Sequence, residues 1–358
     1  MSKKIIISAS SDLATDQRVQ KVAKSCFDYG FDVLLLGRKL KNSPPVAFPY
    51  EFKRFRLLFN HSFLFYAELN IRLFFYLLFK KCDILLSNDT DTLLPNYLVS
   101  KIHSRKLVFD AHELFPEVPE LVSRNFVRNF WTRIEDLLFP KLAFSYTVSA
   151  SIAEYYKAKY GIDMVVVKNV PYRQTEPTKK SKNDIKRILY QGALNKGRCL
   201  EFVIPAMKYV ENAELIIVGD GDLRTELEKL TMDLSLSEKV TFLGKMLPND
   251  FRAITQSADV GLCLLENMGL SYYYSLPNRI FDYLHAGVPV LASDFPEIRN
   301  FVGTFKTGVL TDKTDPDSIA ELLKKMISSP MDTSHFERVA SEYCWENEEK
   351  KLMEIING

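Results

Sequence analysis

The chain has 358 residues, more than a single hydrophobic core usually supports, so we expect two domains. Its hydrophobic fraction of 47% and charged fraction of 26% are typical of a globular protein with sizeable cores. The formal net charge of +2 argues against a general nucleic-acid-binding protein, and the five scattered cysteines, with neither metal-ligand spacing nor a disulfide framework, favour a reducing, cytoplasmic location.

Strand and helix signals alternate through the first half of the chain. Residues 5–8 form an apolar run that predicts a buried strand and suits that role better than a signal peptide. Residues 16–29 predict a helix, because apolar residues recur at i, i+3, i+4 and i+7 and Gly30 follows. Further strands are predicted at residues 33–36, 84–86, 106–109, 146–148 and 164–167.

Two polar clusters follow predicted strands in this half. Asp12, Asp16 and Arg18 come after the first strand, and His112 and Glu113 come after a later one. Asp16 either caps the next helix or contacts a ligand, and the sequence leaves both open. His112 is either a structural loop residue or a binding residue, and it has no second histidine at a metal-ligand spacing.

Residues 38–81 are strongly basic and aromatic. They hold nine Lys or Arg against two acidic residues, a local charge of +7, with twelve aromatic residues interleaved. Basic and aromatic side chains on an amphipathic helix favour contact with an anionic membrane surface. The alternative is a helix that packs on the core and whose lysines are merely solvated. Glu68 and Arg72 interrupt the apolar window at residues 57–79, so we do not expect it to span a bilayer.

The second half repeats the alternation after a polar segment. Residues 172–186 contain Pro177 and several lysines without an apolar period, which predicts a linker. Short apolar strands between amphipathic helices predict an α/β fold of two doubly wound, Rossmann-like domains that face a cleft. The strands are predicted at residues 188–190, 215–218, 240–243, 260–264 and 288–292, and the helices at 200–209, 222–230 and 336–356.

The segment at residues 272–294, YYYSLPNRIFDYLHAGVPVLASD, is the most informative one. Asn278 is predicted to cap a helix that Gly287 ends, and a helix N-terminus holds anions such as phosphate. The layout resembles the donor-sugar motif of family-4 (group 1) glycosyltransferases of the GT-B fold, of the bacterial polysaccharide type. In that motif two glutamates eight positions apart precede the glycine. Asp282 stands at the second position, and Tyr274 departs from the pattern at the first.

The resemblance implies a nucleotide-sugar donor site in the second domain. In the family a glycine turn, an arginine and a lysine hold the diphosphate; here Ala193 replaces the arginine, while Lys196 and Arg198 lie near the lysine position. By the same resemblance Asp282 holds the ribose, Tyr274 faces the sugar, and residues 245–246 meet the base. The implied donor-binding residues are Gly192, Lys196, Arg198, Gly219, Lys245, Met246, Tyr274, Ser275, Leu276, Pro277, Asn278 and Asp282.

The resemblance assigns the acceptor to the first domain. His112 would face the donor sugar and, with Asp282, count as catalytic, while Arg18 would meet an acceptor phosphate. Family members generally need no metal, and we expect no cofactor besides the nucleotide-diphosphate sugar as co-substrate. The implied acceptor-side residues are Asp12, Asp16, Arg18 and Glu113.

The family's organisation implies a first domain at residues 1–171 and a second at 172–335, with the last helix, residues 336–358, crossing back to the first. The implied function is transfer of a sugar, with retention, to a hydroxyl of a glycan or lipid-linked acceptor in cell-surface glycan synthesis. Residues 38–81 would then hold the protein at the inner face of the cell membrane, and no nucleic-acid partner is expected. Two alternatives stay open: a non-hydrolysing nucleotide-sugar 2-epimerase, which shares the GT-B fold, and a catalytically silent nucleotide-sugar-binding protein.

Overall fold

The structure, a computed structural model, describes residues 2–174, 185–246 and 248–358, with the backbone alone for residues 248–251. The chain forms two compact units, residues 1–169 with 348–358 and residues 170–347. Most of the predicted linker lies outside the described residues.

The first unit alternates strands and helices. Its strands are β1 (Lys4–Asp12), β2 (Asp32–Arg38), β3 (Glu51–Phe55), β4 (Ile84–Asn88), β5 (Lys106–Ala111), β6 (Phe144–Thr147) and β7 (Val165–Val166). Its helices are α1 (Gln17–Asp28), α2 (Ser62–Leu78), α3 (Thr90–Ile102), α4 (Pro119–Val122), α5 (Asn125–Leu138) and α6 (Ala150–Tyr160). The strands form one parallel sheet in the order β3-β2-β1-β4-β5-β6-β7.

Local sequence explains the elements that position the first unit's polar edge. The run Ile5–Ile7 is fully buried in β1, as expected of β-branched residues in a sheet covered on both faces. Asp16 caps α1, because its side chain accepts a hydrogen bond from the backbone N–H of Val19. Strand order reverses between β1 and β4, and open parallel sheets bind ligands at the carboxyl ends of the strands at such a switch point.

The second unit repeats this architecture. Its strands are β8 (Lys186–Gln191), β9 (Ala213–Val218), β10 (Val240–Gly244), β11 (Val260–Cys263), β12 (Val290–Ser293) and β13 (Gly308–Thr311). Its helices are α7 (Leu200–Ala206), α8 (Arg224–Asp233), α9 (Pro248–Ser257), α10 (Leu270–Tyr273), α11 (Asn278–His285), α12 (Pro296–Phe305), α13 (Pro316–Ser328) and α14 (Phe336–Glu342), followed by α15 (Trp345–Asn357). The sheet order is β10-β9-β8-β11-β12-β13, and its pairs are parallel.

Alternate residues of these strands enter cores on opposite faces of the sheet. Ile188 and Tyr190 pack in the core that α7, α8 and α13 share, whereas Leu189, between them, packs in the core of α11, α12 and α14. The two-residue period of a strand therefore buries both faces of the sheet. The predicted α/β class, with two doubly wound Rossmann-like domains, is confirmed.

Several elements differ from the sequence prediction. Strands β3 and β13 were not predicted, since neither has a continuous apolar run, whereas the helices predicted within residues 336–356 are present as α14 and α15. Residues 348–358 belong to the first unit, where Lys106 Nζ donates to the carbonyls of Ile355 and Ile356 at 2.9 and 3.0 Å. All five cysteines are buried, and none of them forms a disulfide bond.

The basic and aromatic residues at 38–81 do not lie on one amphipathic helix, which corrects that expectation. Lys53 and Arg54 lie on β3, whereas α2 carries many of the aromatic residues and Arg72 as its single basic residue. Across the described parts of the chain, no helix is both long and apolar enough to cross a membrane.

Candidate active site

The carboxyl edge of the second sheet is built from closely packed glycine turns. The N–H of Gly192, just after β8, donates to Val218 O at 2.9 Å, and the N–H of Gly219, just after β9, donates to Gly244 O at 2.9 Å. A Cβ on Gly219 would lie 1.8 Å from Gly192 O, so a side chain there would collide with backbone. Gly219, predicted to bind the donor, therefore has a packing role that its sequence context did not reveal.

Two predicted cations follow the Gly192 turn. Lys196 is exposed, whereas Arg198 is half-buried with its guanidinium carbon 4.4 Å from the centroid of the Tyr272 ring. Arg198 Nε is buried and has no hydrogen-bond partner among the described residues. Because buried guanidinium N–H groups are costly to leave unpaired, Arg198 is suited to bind an anion.

Helix α11 begins one residue earlier than predicted. Pro277 occupies the N-cap position and Asn278 is the first helical residue, which corrects the expectation that Asn278 caps the helix. Proline lacks an N–H and its fixed φ suits this position. Leu276 is 8% exposed and packs in the core, so of its groups only the backbone is suited to contact a donor.

The residues before α11 form a short connection. The Ser275 hydroxyl donates to Tyr272 O at 2.7 Å, which ties the connection to the end of α10. Tyr274 is the C-cap of α10 and its ring lies 5.4 Å from that of Tyr273. Gly287 follows α11 at φ 69°, so the predicted glycine stop is confirmed.

Asp282 lies in a hydrogen-bonded chain on α11. Its Oδ2 accepts a hydrogen bond from Gln191 Nε2 at 2.9 Å, and Gln191 Oε1 in turn accepts one from the Thr255 hydroxyl at 2.9 Å. Asp282 is partly exposed. These two hydrogen bonds fix the Asp282 carboxylate beside the end of β8. In this position the carboxylate is able to accept hydrogen bonds from the hydroxyl groups of a ligand.

Arg279 was not predicted from the sequence, although it lies on α11 between the residues that were. It is 8% exposed, with its guanidinium carbon 4.7 Å from the centroid of the Tyr190 ring. A Cβ on Gly192 would lie 3.3 Å from Arg279 Nη2, so the guanidinium borders the Gly192 turn. Sequence alone gave no signal for it, since one arginine in an amphipathic helix is usually solvated.

Lys245 and Met246 follow β10. Lys245 is exposed, while Met246 is half-buried and packs against the core that contains α11. The structure therefore brings Gly192, Arg198 and Asp282 to the same sheet edge, with Lys245 and Met246 on the outermost strand's loop. Contact of these residues with a nucleotide stays a prediction.

In the first unit, Arg18 is paired with Asp110 in the interior. Arg18 Nε and Nη2 donate to the two oxygens of Asp110 at 3.0 and 2.8 Å, and Arg18 Nη1 donates to Val167 O at 3.3 Å. Arg18 is 3% exposed and Asp110 is fully buried. The Arg18 guanidinium holds the pKa of Asp110 well below its usual range, against burial, which alone would raise it. Arg18 is therefore a partner of Asp110, and the acceptor contact proposed for it stays a prediction.

His112 lies directly after β5, between two carboxylates. Its Nδ1 is 3.4 Å from Asp110 Oδ1 and 3.9 Å from Asp89 Oδ1. Burial alone would lower the pKa of His112, but these carboxylates outweigh it and raise the pKa to about 9. The ring is thus an imidazolium at neutral pH, a hydrogen-bond donor and not a base.

Asp89 and Asp91 are candidate site residues that the sequence analysis missed. Asp89 has φ 58° and ψ 167° at the start of α3, a conformation that non-glycine residues adopt only where the surroundings impose it, often at functional sites. Asp91 is 4% exposed, its Oδ1 has no hydrogen-bond partner among the described residues, and burial raises its pKa to about 6. Neither aspartate belongs to a sequence motif, so only the fold brings them to the edge where β1 and β4 end.

The remaining acceptor-side residues have mixed environments. Asp12 is 7% exposed; it accepts a hydrogen bond from the N–H of Ala14 at 3.1 Å and another from the Ser43 hydroxyl. Asp16 has the capping role, one of the two alternatives left open. Glu113 is half-buried beside His112. In the described residues no cluster of three His, Cys, Asp or Glu is arranged to hold a metal, and the expected independence from metal stays a prediction.

Two Rossmann-like units with polar residues at their switch points define the GT-B class of fold. Residues 173–342, which make up most of the second unit, match the family model described as Glycosyl transferases group 1. The group 1 resemblance is thereby confirmed, whereas family 4 and the bacterial type stay predictions.

Curated relatives give the same result. The chain is 28% identical over 181 residues to an uncharacterized glycosyltransferase of Methanocaldococcus jannaschii, which covers 48% of this chain and 45% of that protein. It is 26% identical over 155 residues to a GDP-mannose-dependent alpha-(1-6)-phosphatidylinositol monomannoside mannosyltransferase of Mycobacterium tuberculosis, covering 42% and 40%. The matched stretch thus spans less than half the length of these relatives.

Solved structures share the fold of the whole chain. Sucrose-phosphate synthase from Thermosynechococcus elongatus has a TM-score of 0.81 over 99% of this chain and 98% of that one, at 15% identity. HepE of Anabaena, in complex with UDP and glucose, has a TM-score of 0.76 over 99% of both chains at 16% identity. A putative UDP-N-acetylglucosamine 2-epimerase from Listeria monocytogenes has a TM-score of 0.66, covering 99% and 96%, at 13% identity. At these identities the likeness shows the fold alone.

Proposed function

We propose that this chain is a retaining glycosyltransferase that moves a sugar from a nucleotide-diphosphate sugar to a hydroxyl of a glycan or lipid-linked acceptor. The match of residues 173–342 to the group 1 family carries the proposal. The half-buried Arg198 beside the Gly192 turn supports it, because a cation at the switch point of an open parallel sheet is suited to a phosphate ligand.

In the proposed reaction the bond between the anomeric carbon and a diphosphate oxygen breaks, and the acceptor hydroxyl oxygen bonds to that carbon. Positive charge develops on the sugar ring and negative charge on the leaving diphosphate. Arg198, Lys196 and the N-terminus of α11 stabilise the diphosphate, and Asp282 holds the ribose. His112, protonated at neutral pH, donates a hydrogen bond to a sugar hydroxyl; the acceptor proton leaves with the diphosphate oxygen.

The test is to incubate the protein with a panel of UDP, GDP and other nucleotide-diphosphate sugars, with and without glycan and lipid-linked acceptors. Release of nucleoside diphosphate only when an acceptor is present, with a product whose anomeric configuration by NMR equals that of the donor, supports the proposal. An inverted product contradicts retention.

The same assay separates the alternatives. A new sugar epimer formed without acceptor identifies a 2-epimerase, an alternative favoured by the fold shared with the Listeria protein. Calorimetric binding of a donor with no turnover in any mixture identifies a silent binding protein.

We also propose that a docking surface formed by β3 and α2 contacts an anionic membrane. Helix α2 buries Phe65, Leu69, Leu73 and Leu77 against the core, yet it also exposes an apolar stripe that includes Ile71 and Phe75, which are 58% and 56% exposed. A helix that is apolar on two sides requires a second apolar partner.

The rim of this surface is basic. A groove of about 560 Å³ is lined by Lys53, Arg56, Arg72 and by the apolar Ile71 and Phe75. Cations around exposed aromatic and aliphatic side chains complement a bilayer surface, with phosphate at the level of the cations and acyl chains beneath. A lipid-linked acceptor would be reached most directly from this location.

A further inference from the structure

We propose that Arg279 is a further cationic ligand of the donor diphosphate, in addition to Arg198 and Lys196, and substitutes for the arginine that is absent at Ala193. This inference rests on the proposed function, since it concerns the same donor site.

The first argument is a buried guanidinium nitrogen that has no hydrogen-bond partner. Arg279 is 8% exposed, and its Nη1 is buried without a hydrogen-bond partner in the part of the chain that the structure describes. Tyr190 is a partner for another part of the guanidinium, with its ring centroid 4.7 Å from the guanidinium carbon and a side-chain hydrogen bond to Arg279. Since a buried guanidinium N–H is costly to leave without an acceptor, a bound anion would satisfy Nη1.

The second argument is the position of Arg279 relative to the glycine turn. Gly192 has φ 142°, and a Cβ there would lie 3.3 Å from Arg279 Nη2 and 3.4 Å from its Cζ. Without that Cβ, a ligand oxygen has space to approach the guanidinium over the turn. Arg279 is also the second residue of α11, so its charge adds to the partial positive charge of the helix N-terminus.

The third argument is that the charges of Arg279 and Arg198 both affect the same residue, Cys263. Cys263 ends β11, the strand that pairs with β8 where the sheet order reverses. Burial raises the pKa of the Cys263 thiol, and the charges of Arg279 and Arg198 both act to lower it. Both cations are therefore within electrostatic range of this strand end.

Two cations near one switch point fit a ligand with two adjacent phosphates. A single carboxylate has two oxygens and is matched by one guanidinium, whereas a diphosphate has enough oxygens to pair with both. Ala193 supplies no charge beside the Gly192 turn, and Arg279 supplies one at that place.

The experiment measures calorimetric affinities of UDP, GDP, inorganic pyrophosphate and the corresponding nucleosides for wild type, Arg279→Met, Arg279→Lys and Arg299→Ala. Methionine keeps an unbranched apolar stem against Tyr190 but removes the charge. Arg299, 57% exposed on α12 and paired with Asp294, is a matched arginine control in the same unit. Melting temperatures check that each variant is folded.

We expect Arg279→Met to weaken diphosphate and pyrophosphate binding about 10- to 100-fold while nucleoside affinity is unchanged. Arg279→Lys should recover part of the loss, and Arg299→Ala should bind as wild type does. If Arg279→Met binds diphosphates within about twofold of wild type, or loses nucleoside affinity equally, the inference is wrong while the donor site stands. If wild type binds none of these ligands, the proposed donor site itself fails.

Discussion

The backbone N–H of His112 donates a hydrogen bond to Asp89 Oδ1 at 2.9 Å, and the imidazole Nδ1 lies 3.9 Å from the same oxygen. One carboxylate therefore fixes the start of the loop after β5 and also raises the pKa of the histidine on it. Asp89 is in turn held by its own N–H, which donates to Asp110 O at 2.8 Å. Asp89 makes these contacts while its backbone has a positive φ of 58°. The strained backbone conformation therefore places the carboxylate that raises the pKa of His112.

Asp89→Asn should lower the pKa of His112 from about 9 towards the ordinary value of about 6.5. The amide keeps the geometry of the carboxylate but removes its charge. An NMR titration of the histidine ring protons measures this directly, and His112→Gln assigns the resonance among the five histidines. If the pKa of His112 is unchanged in Asp89→Asn, the charge of Asp110 alone is responsible for raising it.

If His112 acts as a protonated hydrogen-bond donor, turnover of wild type should be constant between about pH 6.5 and 8 and fall as the pH passes about 9. His112→Gln should reduce the rate at saturating donor by roughly tenfold or more, with donor affinity kept, because its contact is with the sugar and not the diphosphate. Loss of donor affinity at an unchanged saturated rate would assign His112 to binding instead.

Asp110→Asn should destabilise the protein by about 3–5 kcal/mol, because it leaves the buried Arg18 cation without its bidentate partner. Urea denaturation followed by circular dichroism measures the change in free energy of unfolding. Asp163→Asn is the control, since Asp163 pairs with Lys157 on the surface and should give no measurable change. Equal effects of the two substitutions would mean that Arg18 finds another partner or water.

The alternation of apolar runs and amphipathic segments was sufficient to predict two parallel sheets, because buried strands and half-buried helices differ in hydrophobic period. Asp282, Arg198 and the α11 segment were proposed as site residues from the resemblance of short motifs to the family. Asp89 and Arg279 were not, since their significance depends on a positive φ and on burial against Tyr190, which arise from tertiary packing. Strand β3 was missed because its sequence, EFKRF, has no apolar run and the adjacent charges of Lys53 and Arg54 break the two-residue alternation of a strand.

Glu135 gives a pH dependence of stability that the sequence did not suggest. It is 1% exposed on α5, and burial raises its pKa to about 7 although Tyr160, Thr90 and Tyr156 donate hydrogen bonds to it. A carboxyl with a raised pKa binds its proton more tightly in the folded state. Stability should therefore fall as the pH rises from about 4.3, the unfolded value, through about 7.

Glu135→Gln should remove this fall, because the neutral amide keeps hydrogen-bond acceptors without a buried charge. Relative to wild type, the variant should gain about 3 kcal/mol or less in free energy of unfolding between pH 5 and pH 8, from the shift in the pKa of Glu135. Urea titrations at both pH values measure the gain. Glu154→Gln, exposed on α6, is the matched control, and a gain of the same size there would contradict the assignment.

The docking surface of β3 and α2 should bind anionic vesicles more strongly than neutral ones. Lys53→Ser with Arg56→Ser should weaken this binding by about tenfold or more, since each cation near such a surface contributes about 1 kcal/mol. Arg54 is excluded from the variant, because its side chain is 7% exposed, pairs with Asp12 at 3.7 Å and donates to Pro44 O. Vesicle co-sedimentation measures the binding, with Lys101→Ser and Lys157→Ser, two exposed lysines of the same unit, as the control.

Salt and apolar substitutions test the two parts of this surface separately. The preference for anionic lipid should fade with added salt, because screening limits the attraction to about 8 Å at physiological ionic strength. Ile71→Ser with Phe75→Ser should weaken binding to neutral and anionic vesicles alike, because it removes the exposed apolar stripe and leaves the buried residues of α2 intact. If neither variant differs from the lysine control, the exposed face of α2 does not bind a membrane. A glycan without a lipid anchor would then be the acceptor to test first.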